Sequence, residues 1–517
     1  MSKANWWETR AFVLLAMVIA AVPLLWPAVP PLTDLPGHIG RYRVMLGDDT
    51  GLLGQYYAFQ WRIVGNLGVD LLVGLLAPWV GLEPAVKLVV LAIPALTTGA
   101  LLWVSRELNG RISPWALFAL PLAYNYPFHF GFVNFALAMA LALAGWALWL
   151  RLGRLGRFRL RAGLFVGIGA IIWTAHVMGW AMLCLFAFGS ECVRARAAGA
   201  RVLPMIVWAS ANCLPLAPPV LALLLWRGVG DAGGTERFLD LMVKLKGLGS
   251  VLRDRWLLLD AASAALLLIL IYAGARGRIG RIVPEAAVAA GLAALAFLLL
   301  PFMLMGSAYA DLRLLPYAMM VALAGLAPRA GAAPRALQRI ALAGLVFFLL
   351  RTAATTASFV LYDRDWTREL AALDHLPRGA RVLGLVGDTC DQPWAHTRRT
   401  HLPAMATARR AAFANDQWRM EGAPLLTVKV QGAGYFAHDP SQISVPTPCA
   451  IDPNLMPQAR ALAEFPRDVF THVWMIRPHP GSPGERAGLK PLWRRGDSVL
   501  YAVEPRSSRL PLGAAPK

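Results

Sequence analysis

Charge is what this chain has least of. Asp, Glu, Lys and Arg make up only 15% of its 517 residues, against 57% hydrophobic, where a soluble protein carries about 25% charged residues. A water-soluble fold is thereby excluded for most of the length. Acids are scarcer still, with 30 Asp and Glu against 50 Lys and Arg, for a formal net charge of +20. That excess does not imply nucleic acid, because the arginines are not gathered on one soluble face. Arg151, Arg154, Arg157, Arg159 and Arg161 share one short loop with no acid. Arg194, Arg196 and Arg201 form a second group, Arg276, Arg278 and Arg281 a third, and Arg329, Arg335 and Arg339 a fourth. Such groups mark cytoplasmic loops under the positive-inside rule, solvated and facing anionic lipid headgroups.

Cysteine is sparse too. There are five, with no CxxC and no Cys/His metal spacing, which excludes the common zinc and dithiol modules. Cys184, Cys192 and Cys213 lie in or beside apolar runs and read as packing residues. Cys390 and Cys449 are candidates for one disulfide if their domain faces an oxidising compartment. Also missing are an internal repeat, a P-loop, a GxGxxG placed after a strand and a nucleophile elbow.

What is present is a succession of apolar runs from residue 11 to residue 361, then a soluble stretch. The expected fold is an all-α polytopic membrane domain, residues 1–361, followed by a small α/β soluble domain, residues 362–517. The first run, 11–30, is long for a signal sequence, and Pro27, Pro30 and Pro31 occupy the place of a cleavage site, so it reads as an uncleaved span. Lys3 and Arg10 place the N-terminus in the cytoplasm. Alternation with the basic loops puts loops 31–66, 227–255 and 306–313 outside, together with the soluble domain. The count is about eleven crossings of about 20 residues each, in a bacterial-type cytoplasmic membrane. Between 66 and 150 lie four runs (66–82, 87–104, 114–127 and 129–150) where parity demands an odd number. The 114–127 run is short, which predicts a re-entrant segment there or a broken neighbour. In loop 227–255, Phe238, Leu241, Met242, Leu245 and Leu248 recur at helical spacing, with Arg237, Asp240 and Lys244 off the stripe. That pattern predicts a helix lying in the outer interface or packing against the soluble domain. In the soluble domain, 364–375 reads as a helix, 381–386 and 471–476 as strands, and 489–495 with 497–503 as a hairpin.

The chemistry is expected at the outer mouth of the first span. There Thr33-Asp34-Leu35-Pro36-Gly37-His38 is followed by Arg41, and charge beside a bilayer is costly unless it has a task. Pro36 suits a first helical turn. Asp34 is then either a helix cap or, four residues from His38, half of a carboxylate–imidazole pair that acts as a base or holds a divalent metal. The membrane half holds three of the nine histidines, His38, His129 and His176, all at outer ends of crossings. Asp70 opens the second run near the same surface. The last outer loop brings Asp311 and Arg313, whose guanidinium fork suits phosphate oxygens. For each there is a bland alternative: a backbone hydrogen bond, a cap, or an ion pair between Asp311 and Arg313. Taken together, Asp34, His38, Arg41, Asp70, His129, His176, Asp311 and Arg313 suit a substrate with phosphate and hydroxyls on a lipid anchor.

In its N-terminal span, its acid-bearing first outer loop (Thr33-Asp34-Leu35-Pro36), its many later spans and its closing soluble domain, the chain resembles the GT-C superfamily of integral membrane glycosyltransferases. The resemblance implies an inverting transfer from a sugar on a polyprenyl phosphate to an acceptor hydroxyl. Asp34 is then the base or a metal ligand, with His38 beside it, and Arg313 of Asp311-Leu312-Arg313 meets the donor phosphate. Many members carry paired acids, whereas Leu35 and Pro36 follow Asp34 here, so a divalent cation stays an open alternative. The competing classes are a transporter or flippase of a lipid-linked saccharide and a polysaccharide polymerase or ligase. A flippase tends to place polar groups at the bilayer midplane and to repeat its halves.

Overall fold

Apolar runs in a bilayer become helices because only there does a segment satisfy its backbone amides internally. The computed structural model describes residues 5–47, 50–226, 234–304, 306–391, 393–395, 398–419, 425–450, 452–481 and 483–504. Lys3, Asp48, Asp49 and the stretch 227–233 lie outside the described residues. Among those described, six helices are long and apolar enough to span: Leu82–Asn109, Val133–Arg154, Phe158–Ala175, Val177–Ala197, Leu257–Ala275 and the helix that starts at Pro334. A bent pair, Val202–Leu216 and Pro219–Leu225, turns by 72° where Pro218 and Pro219 interrupt the amide ladder. Four shorter apolar helices, Arg10–Leu24, Gly68–Val80, Pro284–Leu299 and Leu315–Ala324, complete a multi-pass membrane domain.

Its two ends differ in chemistry. At the basic end, Arg161 pairs with the fully buried Glu191 at 2.7 Å, and Arg154 pairs with Glu107. The arginine-rich loop therefore finds its acids on neighbouring helices. Short strands Gly280–Ile282 and Leu326–Pro328 pair antiparallel at this end.

The opposite end carries Asp34 and corrects one expectation. The 114–127 run is not re-entrant. It forms a buried 3-10 helix, Pro114–Tyr124, whose start is tied to the basic end by Ser113 Oγ donating to Leu326 O at 2.6 Å. Just beyond its finish, His129 O accepts from Thr33 N beside Asp34. A 3-10 helix rises about 2 Å per residue against about 1.5 Å for an α-helix. Its 11 residues thus cover about 22 Å instead of about 16 Å. The run that stays at one end is 66–82. Helix Gly68–Val80 begins with Asp70 paired to Arg41. Just past its finish, Glu83 pairs with Arg409 of the C-terminal domain at 2.8 Å.

No linker separates the two domains. The helix from Pro334 runs through 361 to Leu370 and buries Trp366 and Leu370 in one apolar cluster with Val382 and Trp474. Beyond it, Arg381–Gly387 pairs in parallel with His472–Ile476 on one side and Ile443–Val445 on the other, with Phe413–Ala414 beside its start. Its near-continuous burial is what a central parallel strand requires. The antiparallel hairpin Leu489–Arg495 and Ser498–Val503 closes the sheet next to His472–Ile476. Cys390 and Cys449 are joined as a disulfide, with Cα atoms 5.7 Å apart. Strand Tyr57–Phe59, from the loop that follows the first apolar helix and carries Asp34, pairs antiparallel with Leu426–Val428 of this domain.

Candidate active site

Asp34 is held from behind by two backbone hydrogen bonds. Its amide donates to Phe130 O at 2.9 Å, and the Thr33 amide donates to His129 O at 3.3 Å. This close approach requires Gly131, which has φ +108°; a Cβ there would lie 2.8 Å from Asp34 N. Asp34 sits at the N-cap position of helix Leu35–Leu46, with Pro36 in the first turn, yet its carboxylate accepts no capping bond. The carboxylate meets His401 of the C-terminal domain instead, Nε2 lying 3.9 Å from Oδ1. Burial pushes its pKa up to about 7; His401 pulls it down, Asp439 pushes it up and Arg313 pulls it down.

His401 is nested among acids. Its Nδ1 lies 3.1 Å from Asp416 O and 3.7 Å from the Asp416 carboxylate, and its Nε2 lies 4.0 Å from Asp439. The Trp418 ring covers it at 4.4 Å between centroids. Burial disfavours its charge, but the bond to Asp416 and the charges of Asp439 and Asp34 outweigh burial and raise it to about 9. The imidazole is therefore cationic at neutral pH. Gln417 bridges the two domains here, its Nε2 donating to Gly37 O and Asp416 Oδ2, each at 3.2 Å.

Arg313 completes the group. Its guanidinium stacks 3.8 Å over Phe132, and Nη2 donates to Ser307 Oγ and Ala308 O, each at 2.9 Å. Its buried Nε has no hydrogen-bond partner among the described residues, which leaves a donor for a ligand oxygen. Burial lowers its pKa to about 10, opposed by the charge of Asp34, and it stays cationic.

The remaining expected residues have other partners. His38 does not meet the Asp34 carboxylate. The four-residue spacing joins the backbones, His38 N to Asp34 O at 3.1 Å, while the ring stacks near Trp418 and Tyr42. The place foreseen for its imidazole is taken by His401. Arg41 and Asp70 neutralise each other at 2.8 Å, with Asn134 donating to Asp70 at 3.0 Å. Together they brace three helices rather than facing a cleft. Asp311 pairs with buried Lys244 at 2.8 Å, not with Arg313. His129 Nδ1 accepts from Arg398 at 3.0 Å. His176 Nδ1 accepts from Met178 N at 3.1 Å and caps helix Val177–Ala197. Among the described residues no three His, Cys, Asp or Glu side chains are placed to hold a metal ion, and Asp34 and His38 do not converge on one.

Sequence reasoning missed His401, Asp416, Trp418 and Asp439. The one available signal was Asp416-Gln417-Trp418, an acid–amide–aromatic triplet in a stretch otherwise rich in alanine.

The fold is a helical membrane bundle in which the Asp34 loop, the Arg313 loop and the closing α/β domain meet around one group of charged side chains. The same fold is found in the crystal structure of ArnT from Cupriavidus metallidurans in the apo state, with TM-score 0.50, 14% identity, 95% of this chain and 97% of that chain covered. The structure of ArnT bound to undecaprenyl phosphate gives TM-score 0.47 and 13% identity over the same shares. At such identities the likeness is one of fold. No family model matches the sequence, and no curated protein matches it.

Proposed function

We propose that this protein is a membrane glycosyltransferase that moves a sugar from a polyprenyl-phosphate donor to an acceptor hydroxyl. One observation carries the reading. A buried carboxyl poised to titrate near pH 7 faces an imidazolium from one domain and a buried guanidinium from the other. A base is most useful when its pKa lies near working pH. Asp34 takes the proton of the acceptor hydroxyl as that oxygen bonds to the anomeric carbon. The bond from that carbon to the phosphate oxygen breaks, with inversion, and its electron pair stays on the phosphate. Arg313 stabilises the charge that gathers there. His401 keeps Asp34 ionised.

Helix Leu241–Ser250 supports a lipid-borne donor. Leu241, Met242 and Leu245 stand exposed on it, with Phe238 exposed in the turn before it, while Lys244 turns inward. Lys244 bonds Phe297 O, Leu300 O and Asp311, next to the Arg313 loop. An apolar face beside a phosphate-binding arginine suits an isoprenoid chain lying in the interface. The chain then crosses the inner membrane eleven times, counting the seven spans, helices Arg10–Leu24, Pro284–Leu299 and Leu315–Ala324, and the 3-10 helix Pro114–Tyr124. The Asp34 end is extracytoplasmic.

The test is incubation of purified protein with radiolabelled polyprenyl-phosphate sugars. Asp34→Asn and Asp34→Ala are expected to insert and fold yet lose transfer by about a hundredfold or more, the range for a general base. Wild-type rates in both would overturn the reading. Movement of the label across liposomes without transfer would point to a flippase instead.

A further inference from the structure

Between the central strand and helix Ala404–Arg410, the C-terminal domain drives two side chains into the outer end of the bundle. Trp394 Nε1 donates to Asp260 Oδ2 at 2.8 Å, and Asp260 also pairs with Arg351 at 2.7 Å. Arg398 goes deeper, with 1% of its surface exposed. Its backbone takes φ +52°, a conformation costly for a residue with a Cβ and kept only where the surroundings enforce it.

The Arg398 guanidinium engages four segments of chain. Nη1 donates to Pro31 O at 2.7 Å. Nη2 donates to Asp254 Oδ1 at 2.7 Å and to His129 Nδ1 at 3.0 Å. The plane stacks 4.5 Å from the Tyr362 ring. Pro31 lies three residues before Asp34, and His129 belongs to the segment whose carbonyls hold Thr33 and Asp34. His401 lies three residues after Arg398. One side chain thus touches both strands of the cradle around Asp34 and belongs to the segment that delivers His401. We infer that Arg398 is a positioning residue: it fixes the Asp34 loop against the domain that carries His401, and so sets the separation of that pair. The consequence for rate rests on the transferase reading; the coupling of the two groups does not.

The experiment therefore reads Asp34 directly. Dicyclohexylcarbodiimide is an apolar reagent that modifies protonated carboxyls. The full-length protein is treated with it from pH 5 to pH 9.5, and modification of the Asp34 peptide is followed by mass spectrometry. In the wild type, labelling is expected to fall with a midpoint near pH 7. Arg398→Lys keeps a positive charge, but without the planar fork it cannot serve Pro31, His129 and Asp254 together. His401 then withdraws, and the midpoint is expected to rise by about one pH unit. Arg399→Lys is the control, because Arg399 pairs with Asp365 on the other side of the segment and its loss leaves the midpoint in place. An unchanged midpoint in folded Arg398→Lys overturns the inference. If that variant does not fold, Asp254→Asn takes its place, with the same shift expected and the same refutation. A wild type that titrates near pH 7 and shifts with Arg398→Lys, yet transfers no sugar, would sink the transferase reading and leave the positioning role standing.

Discussion

Removing His401 is the sharpest test of how the cleft keeps its base ionised. Two unit charges 3.9 Å apart attract by about 4 kcal/mol at an effective dielectric of about 20, or about three pKa units. Water entering the space left by the ring recovers part of that, so we expect a rise of about two units for Asp34 in His401→Gln. Asp439 works in the same direction, since it repels an ionised Asp34 and its imidazolium neighbour is gone. The wild-type transfer rate should climb with pH through about 7 as Asp34 loses its proton. Above about 9 it should stay level, because Asp34 is already ionised when His401 becomes neutral. In His401→Gln the rising limb should move to about pH 9. At pH 7 the ionised fraction of Asp34 then drops from about half to about one in a hundred, a loss of about 50-fold in rate. The assay is single-turnover transfer from radiolabelled donor, buffered from pH 5.5 to pH 10. A rising limb that stays near 7 in the variant would show that His401 does not govern Asp34, and the electrostatic account of the cleft would fall.

Two further expectations follow from the same geometry. Arg313→Gln should cut transfer by about a hundredfold or more, the cost of losing a donor to developing charge, while Arg313→Lys recovers part of it; equal rates for all three proteins would remove Arg313 from the reaction. Cys390→Ser opens a cross-link between residues 59 apart, worth about 4 kcal/mol in a chain-entropy account, and should lower the thermal midpoint of the detergent-solubilised protein without changing the pH–rate profile.

Half of this cleft was legible before any coordinates. Asp34 and Arg313 stood out because ionisable groups are rare beside a bilayer, so each carries information. His401, Asp416 and Asp439 lie in a water-facing domain where polar residues are ordinary, and nothing in their spacing marks them. Arg41, Asp70 and Asp311 misled for a related reason. Their partners are distant in sequence, as with Lys244 and Asp311, 67 residues apart, so a neutralised pair reads as two free charges. The 114–127 run misled through its rise per residue. As a 3-10 helix its 11 residues reach about 22 Å, further than an α-helix of the same length but short of the ~30 Å hydrocarbon core, and the choice between the two forms depends on packing rather than on residue pattern. The helix from Pro334 ends nine residues after the expected boundary at 361, because Trp366 and Leu370 are apolar residues serving the soluble core, not the bilayer.

The pairing of Ala58 with Thr427 sets a timetable for biogenesis. At about 5–20 residues per second, a ribosome needs roughly 20–70 s to travel from one to the other. For that interval the early ribbon waits with unclaimed amides and carbonyls, while every remaining hydrophobic helix is being inserted. Assembly of the site around Asp34 is thereby a late event in the life of the nascent polypeptide, since its loop stays without a sheet partner until residue 427 has emerged.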